Sequence, residues 1–522
     1  MNKIFAYDST LRDGAQAQGI SFSVEDKIKI VEKLDELGIS YIEAGNPGSN
    51  PKDLEFFARV GELKLKHAKI IAFGSTRKVG ITADTDNNLK SLLRANTAAV
   101  AIFGKCWDYQ VTDILRTTLQ ENLNMIADTV RYLKAQGKEV VFDAEHFYDG
   151  YKANPGYALQ TLRAAAEAGA DCLCLCDTNG GTFPDELFII TKKIAGDFST
   201  PLGIHCHNDS EMAVANSIAA VQAGATQVQG TINGIGERCG NANLCSIIPN
   251  LQLKMGLECL PQDKLQSLTS VARFVSEVAN VTHNEKAPYV GNDAFSHKGG
   301  MHIDAVSKNP VSYEHINPES VGNARHILVS EVAGRSALLG KINAIDPTLH
   351  KDSAETKQIL ERIKSLEHDG YQFENAESSF DLLVRKMLGQ YRPFFDLKEY
   401  KVVVQEPAVD TINSKATLRI VVGDQEEMTT AEGDGPVNAL DKAMRKALER
   451  FYPAIKEIKL TDYKVRVLDS DQASAAKVRV LIESTDHTEN WTTVGVSTDI
   501  IDASWHALVD SIEYKLMRDQ QR

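Results

Sequence analysis

The sequence predicts an α/β fold. It combines a closed (β/α)8, or TIM, barrel with a small helical accessory module and a tail made of a duplicated βββα unit. Three observations carry this expectation. Short apolar runs alternate with helical, 3.6-period stretches eight times over the first 260 residues. That regularity stops near residue 281, where Gly-rich and polar loops (YVGNDAFSHKGGMH) take over. Beyond residue 391 the order strand, strand, strand, helix occurs twice. A chain of 522 residues is too long for one core at roughly 150 residues per domain, but a barrel alone can take about 250.

The strand candidates of the first region are Ile4–Asp8, Tyr41–Ala44, Ile70–Phe73, Val100–Phe103, Val140–Asp143, Cys172–Cys176, Leu202–His207 and Gln227–Ile232. Between them lie helical stretches such as Glu25–Leu37, Glu121–Gln136, Pro155–Ala168 and Met212–Ala223, closed by Gly38, Gly137, Gly169 and Gly224. Eight strand–helix units in this length favour a closed barrel over an open doubly wound sheet. Residues 281–390 read as a helical module with short helices at Ser353–Ser365 and Phe380–Leu388. Residues 391–522 hold the duplication. ATLRIVV aligns with AKVRVLI, and GPVNALDKAM aligns with DIIDASWHAL. The expected domains are therefore 1–280, 281–390 and 391–522.

Composition excludes several classes. At 43% hydrophobic and 25% charged residues, the chain is neither fibrous, disordered nor a disulfide framework. Its net charge of −14 offers no electrostatic footprint for nucleic acid, although a local Arg or a metal can still attract a small anion. No apolar run approaches a membrane span, and the amino terminus resembles no signal or transit segment. Of eight cysteines, three fall at period two in CLCLC, which suits packing on one strand face. A reducing cytoplasm is the expected location.

In a barrel, chemistry is expected at the C-terminal strand ends and in the loops that follow. There the sequence places Asp8-Ser9-Thr10-Leu11-Arg12-Asp13-Gly14, His205-Cys206-His207-Asn208-Asp209 and Gly236-Glu237-Arg238-Cys239-Gly240-Asn241. Residues two apart on a strand share a face, so His205 and His207 point together. With a carboxylate from across the barrel they match the ligand set of a divalent first-row metal. A pair of hydrogen-bonded core histidines is the bland alternative. The Asp13 and Asn241 loops, both at strand ends of one barrel, tilt the balance toward metal. Arg12 beside Asp13 is either a salt bridge tying down the first loop or a guanidinium that polarises an anionic substrate's oxygen. Glu145, closing strand five, is placed to meet substrate or to cap the rim. Thr178, after strand six, offers a hydroxyl to a substrate carboxylate or is an ordinary turn residue.

STLRDG, HCHND and GERCGN, in this order along an eight-unit barrel, resemble the acetyl-CoA-dependent Claisen synthases, the family of 2-isopropylmalate, homocitrate and citramalate synthases. GGMH at Gly299–His302 and the Tyr313 region resemble the family's accessory module, and the duplicated tail its regulatory domain. DAEHFYDGY and YEHINPESVGNARHILVSEVAGRSALLGK are most similar to the citramalate synthase branch. Cys239 departs from the small residue expected in that loop.

The resemblance implies that Asp13, His205, His207 and Asn241 hold a divalent cation (Mn, Zn or Mg). It further implies that Arg12 stabilises charge on oxygen and that Glu145 and Thr178 contact substrate. His302, with Tyr313, would assist proton removal from the acetyl methyl. The implied reaction joins acetyl-CoA to pyruvate, feeding isoleucine synthesis through 2-oxobutanoate. A homodimer is implied too, with isoleucine as an effector bound near Gly433–Pro436 and Ser497–Ile500. The alternatives are a larger 2-oxo acid, a related metal-dependent acyl-CoA lyase with a Cys-bearing glycine-rich loop, and a non-enzymatic barrel scaffold.

Overall fold

The computed structural model describes residues 3–48, 51–327, 339, 342–343, 345–350, 353–373, 376–409, 412–468, 476–486 and 489–521. Part of the long accessory-module motif, residues 328–338 and 340–341, lies outside them. The chain forms two compact units, residues 1–295 with 314–325, and residues 296–313 with 326–522.

The first unit is a closed barrel of eight parallel strands in sequential order. They are β1 (Phe5–Asp8), β2 (Tyr41–Gly45), β3 (Lys69–Ser75), β4 (Ala99–Lys105), β5 (Glu139–Glu145), β6 (Cys172–Asp177), β7 (Leu202–Cys206) and β8 (Gln227–Gly230). Closure is shown by the pairing of β8 with β1, Gln227 opposite Phe5 and Gly230 opposite Asp8. The pleat sorts CLCLCD as its period requires. Cys172, Cys174 and Cys176 join Tyr7, Ile71 and Val141 inside the barrel, while Leu173 and Leu175 pack outward under the helices. All eight cysteines are free, and only Cys239 is exposed.

The helices start and stop where local chemistry dictates. Val24–Leu37 opens with a capping box, in which Ser23 and Asp26 satisfy each other's backbone N–H groups. It closes at Gly38, whose φ of 93° is left-handed; a side chain there would also strike Pro261. The apolar faces of the helices and the outward faces of the strands merge into one continuous core. Short connections then leave the loops after each strand gathered at one end.

The second unit carries the duplication. One antiparallel sheet is β9 (Asp396–Val409), β10 (Ile412–Val422) and β11 (Gln425–Gly433), followed by helix Pro436–Leu448. The other is β12 (Lys459–Val467), β13 (Val478–Thr485) and β14 (Asn490–Ser497), followed by helix Ile500–Gln521. Equivalent bonds recur in both copies: Thr429 Oγ1 donates to Ala443 O and Thr493 Oγ1 to Ala507 O, each at 2.7 Å. Leu418 and Ile420 of one sheet share a core with Val480 and Ile482 of the other. Helices Ala354–His368 and Glu377–Met387 form a smaller core with Val494. Among the described residues, no helix is long and apolar enough to cross a membrane.

Candidate active site

Three loops build the site at the C-terminal end of the barrel. The loop after β1 turns back at once, the N–H groups of Arg12, Asp13 and Gly14 all donating to Ser9 O, which holds Asp13 over the barrel. β7 ends at Cys206, but His207 continues its direction through an isolated bridge to Asn241. The period-two reading of the histidines therefore survives one residue past the strand. The loop after β8 folds back against β7, with Ala242 N donating to Cys206 O and Asn208 N to Gly240 O. Gly240 makes this return possible: its φ is +92°, and a Cβ there would collide with Gly234 O.

These loops bring the expected ligands together. His205 Nε2 and His207 Nε2 lie 3.3 and 3.8 Å from Asp13 Oδ2 and 3.3 Å from each other. Asp13 Oδ2 and Asn241 Oδ1 are buried with no hydrogen-bond partner of ordinary geometry. Buried acceptors without a donor are costly unless a cation satisfies them. A divalent metal with nitrogen and oxygen ligands is such a cation, so the donor set fits one. Burial and the neighbouring His205 depress His207 to about 3, so its ring is the neutral imidazole that metal ligation needs. Burial would raise Asp13, yet Arg12 and His205 hold its carboxylate well below the usual range.

Arg12 is anchored from below. Its Nε donates to Glu43 Oε1 at 2.5 Å, Nη1 lies 3.5 Å from Asp13 Oδ1, and the guanidinium stacks 3.8 Å from the centroid of Phe73. Glu43 sits on β2 with 0% exposure and also accepts from Tyr7 Oη and Ser9 Oγ, both at 2.6 Å. Burial would weaken the charge on Arg12, but Glu43 and Asp13 more than restore it. Beside Arg12 opens a cleft of about 290 Å³ lined by residues including Phe22, Lys27, Asn46 and Phe73.

Glu145 ends β5 at the same rim, paired with Lys105 of β4 at 2.5 Å, the two being register neighbours. Thr178 Oγ1 accepts from His146 N at 2.9 Å, and Thr178 O accepts from Arg238 Nη2 at 2.7 Å. Arg238 in turn binds Asp209, which ties the β6, β7 and β8 loops into one rim. Asp143, Cys174 and Cys176 form a second close group inside the barrel. Burial pushes the Cys174 thiol upward, and Cys174 and Cys176 pack among Tyr7, Ile71 and Val141.

His302 and Tyr313 belong to the second unit. There their rings pair with centroids 4.3 Å apart, His302 in the helix Gly300–Lys308 and Tyr313 just after it. Sequence reasoning missed Glu43 and Lys105. For Lys105 and Glu145 the signal was present, since both end β4 and β5 at matching positions.

A family model described as HMGL-like matches residues 3–275, more than half of the chain. The chain belongs to the HMGL-like family. Within this family member, a homocitrate synthase post-HMGL domain-like model matches 289–370, and a LeuA allosteric (dimerisation) domain matches 374–516. An (R)-citramalate synthase of Geobacter sulfurreducens is 55% identical over 522 residues, covering 100% of this chain and 99% of its own. One from Aquifex aeolicus is also 55% identical, covering 99% of each. A 2-isopropylmalate synthase of Methanocaldococcus jannaschii is 30% identical over 525 residues, covering 100% of this chain and 96% of its own.

Proposed function

We propose that the chain condenses acetyl-CoA with pyruvate and water, giving citramalate and CoA. The observation that carries this reading is the convergence of Asp13, His205 and His207 beside Arg12, with Asn241, its Oδ1 buried and unpartnered, bridged to His207. Full-length similarity to (R)-citramalate synthases at 55% identity, against 30% to a 2-isopropylmalate synthase, supports the smaller 2-oxo acid.

Asp13, His205, His207 and Asn241 would hold one divalent cation, Mn, Zn or Mg. When bound, that cation supplies chelation of the 2-oxo acid's keto and carboxylate oxygens and polarises the carbonyl. Arg12, charged and fixed by Glu43, stabilises negative charge as it develops on oxygen. Glu145 and Thr178 stand at the rim to orient the substrate, the Thr178 hydroxyl keeping its proton to donate. A thioester methyl is a weak acid, so a positioned base must take its proton. For His302 we propose that role, with Tyr313 as its companion. The methyl carbon then bonds to the keto carbon of pyruvate, and water cleaves the thioester to release CoA.

The tail supports a homodimer, and isoleucine is its proposed effector, bound near Gly433–Pro436 and Ser497–Ile500. A thiol-release assay with acetyl-CoA and pyruvate, 2-oxoisovalerate or 2-oxoglutarate tests the whole reading. Release with pyruvate is expected to dominate. Preference for a larger acid overturns the substrate, and no release with any acid overturns the reaction class.

A further inference from the structure

Beneath His205 runs a chain of side-chain hydrogen bonds that no step above uses. His205 Nδ1 lies 3.0 Å from Gln229 Oε1, and Gln229 Nε2 lies 3.0 Å from Asp143 Oδ1. Gln229 sits on β8 with 0% exposure, and Asp143 is buried on the far side of the barrel interior, on β5. We propose that Gln229 is a positioning residue that holds His205 in the tautomer with its proton on Nδ1, and that Asp143 holds Gln229.

A neutral imidazole has one nitrogen that donates and one that accepts, and its partners decide which is which. A glutamine amide can present either end to the ring, so the question passes to what faces its other end. Two acceptors face Gln229 Nε2: Asp143 Oδ1 at 3.0 Å and Gln227 Oε1 at 3.4 Å. While Asp143 is ionised, turning the amide would set its oxygen against both, leaving the buried carboxylate oxygen unsatisfied at about 1–3 kcal/mol. The amide is thus fixed with Oε1 toward His205, and Nδ1 must carry the hydrogen.

The consequence appears at the other ring nitrogen. With the proton on Nδ1, His205 Nε2 turns a lone pair toward the point shared with Asp13 Oδ2 and His207 Nε2. With the proton on Nε2, the ring would donate to Asp13 and occupy the carboxylate meant for a cation. The chain through Gln229 to Asp143 therefore selects a histidine that ligates over one that neutralises Asp13. Partners of this kind are worth 10–100-fold in metal affinity.

This inference rests on the metal reading above, and the test separates the two. Mn²⁺ binding to the full chain, stripped with chelator, is titrated by electron paramagnetic resonance, with circular dichroism confirming the fold. Gln229→Leu removes both bonds and is expected to weaken Mn²⁺ binding 10–100-fold. Asp143→Asn offers a new donor that lets Gln229 turn, and about a tenfold loss is expected. Gln229→Glu combined with Asp143→Asn keeps an acceptor for Nδ1–H and gives the second carboxylate oxygen a donor, and is expected to stay within about fivefold of the parent, a rescue that a packing role would not produce. A folded Gln229→Leu variant with parental affinity overturns the inference. If that variant does not fold, parental affinity in Asp143→Asn does so instead. A parent chain that binds no Mn²⁺ overturns the metal reading itself.

Discussion

Glu43 offers a way to disturb Arg12 without touching the candidate ligands. In Glu43→Gln the side chain keeps its shape. One amide oxygen can still accept from Ser9 Oγ and Arg12 Nε, and the Tyr7 hydroxyl can turn to accept from the new amide N–H. What disappears is the charge. A hydrogen bond to a charged partner is worth about 1.5–3 kcal/mol against about 1 for a neutral one, and Arg12 is left with Asp13 as its counter-charge. Removing one partner of a buried pair outright costs about 3–5 kcal/mol, so the isosteric change should cost less, near 2–3 kcal/mol. Because Arg12 acts on charge that develops during reaction, most of this should appear in the barrier, about a 100-fold fall in kcat. Mn²⁺ affinity should move by less than about threefold, since Asp13, His205, His207 and Asn241 keep their loops. The assay is CoA release at saturating substrate beside a metal titration. A kcat within about threefold of the parent would refute the anchoring role. So would a parallel loss of metal, which would place Glu43 under the ligands instead of under Arg12.

Asp13→Ala should abolish both Mn²⁺ binding and turnover, and retention of both would sink the metal assignment. Gly240→Ala forces a Cβ against Gly234 O at a left-handed φ, and is expected to weaken Mn²⁺ binding at least about tenfold by displacing Asn241 while the barrel stays folded by circular dichroism. Burial raises Asp8 to about 7 despite its hydrogen bonds from Thr10. Its folded pKa thus exceeds the unfolded value near 3.9, so its contribution is fully present below about pH 4 and is lost as pH rises through 7, at about 1.4 kcal/mol per unit. Urea unfolding of Asp8→Asn should therefore gain on the parent from pH 5 to pH 8, and a constant difference would refute the assignment. Isoleucine should lower the initial rate; no response to isoleucine, leucine or valine would leave the tail as a dimer clamp alone.

The legible parts of this molecule are those governed by short-range periodicity. The alternation in CLCLCD sends three cysteines inward whatever the rest of the chain does. The spacing of His205 and His207 aims both rings at one point for the same reason. Gly38 and Gly224 mark helix ends because there the backbone takes a positive φ that a side chain resists. Glu43 was not legible. In the run YIEAG one carboxylate at a strand end looks the same whether it caps a rim or lies buried under an arginine from another loop. Gln229 was hidden by the same ambiguity, since an amide on a buried strand reveals its partners only when the strands opposite it are placed.

By itself the sequence determined the elements, their order and the repeat in the tail, along with the residue types gathered at the strand ends. Those follow from dihedral preference and hydrophobic period, which act over a few residues. Tertiary structure alone decided which charges face each other. Arg12 meets Glu43 across two strands, Lys105 meets Glu145 by register, and Gln229 links His205 to Asp143 across the barrel. Closure of the sheet brings β8 beside β1 and sets residues distant in sequence within 3 Å of one another. Only there, out of water, do those pairings become strong enough to fix an orientation.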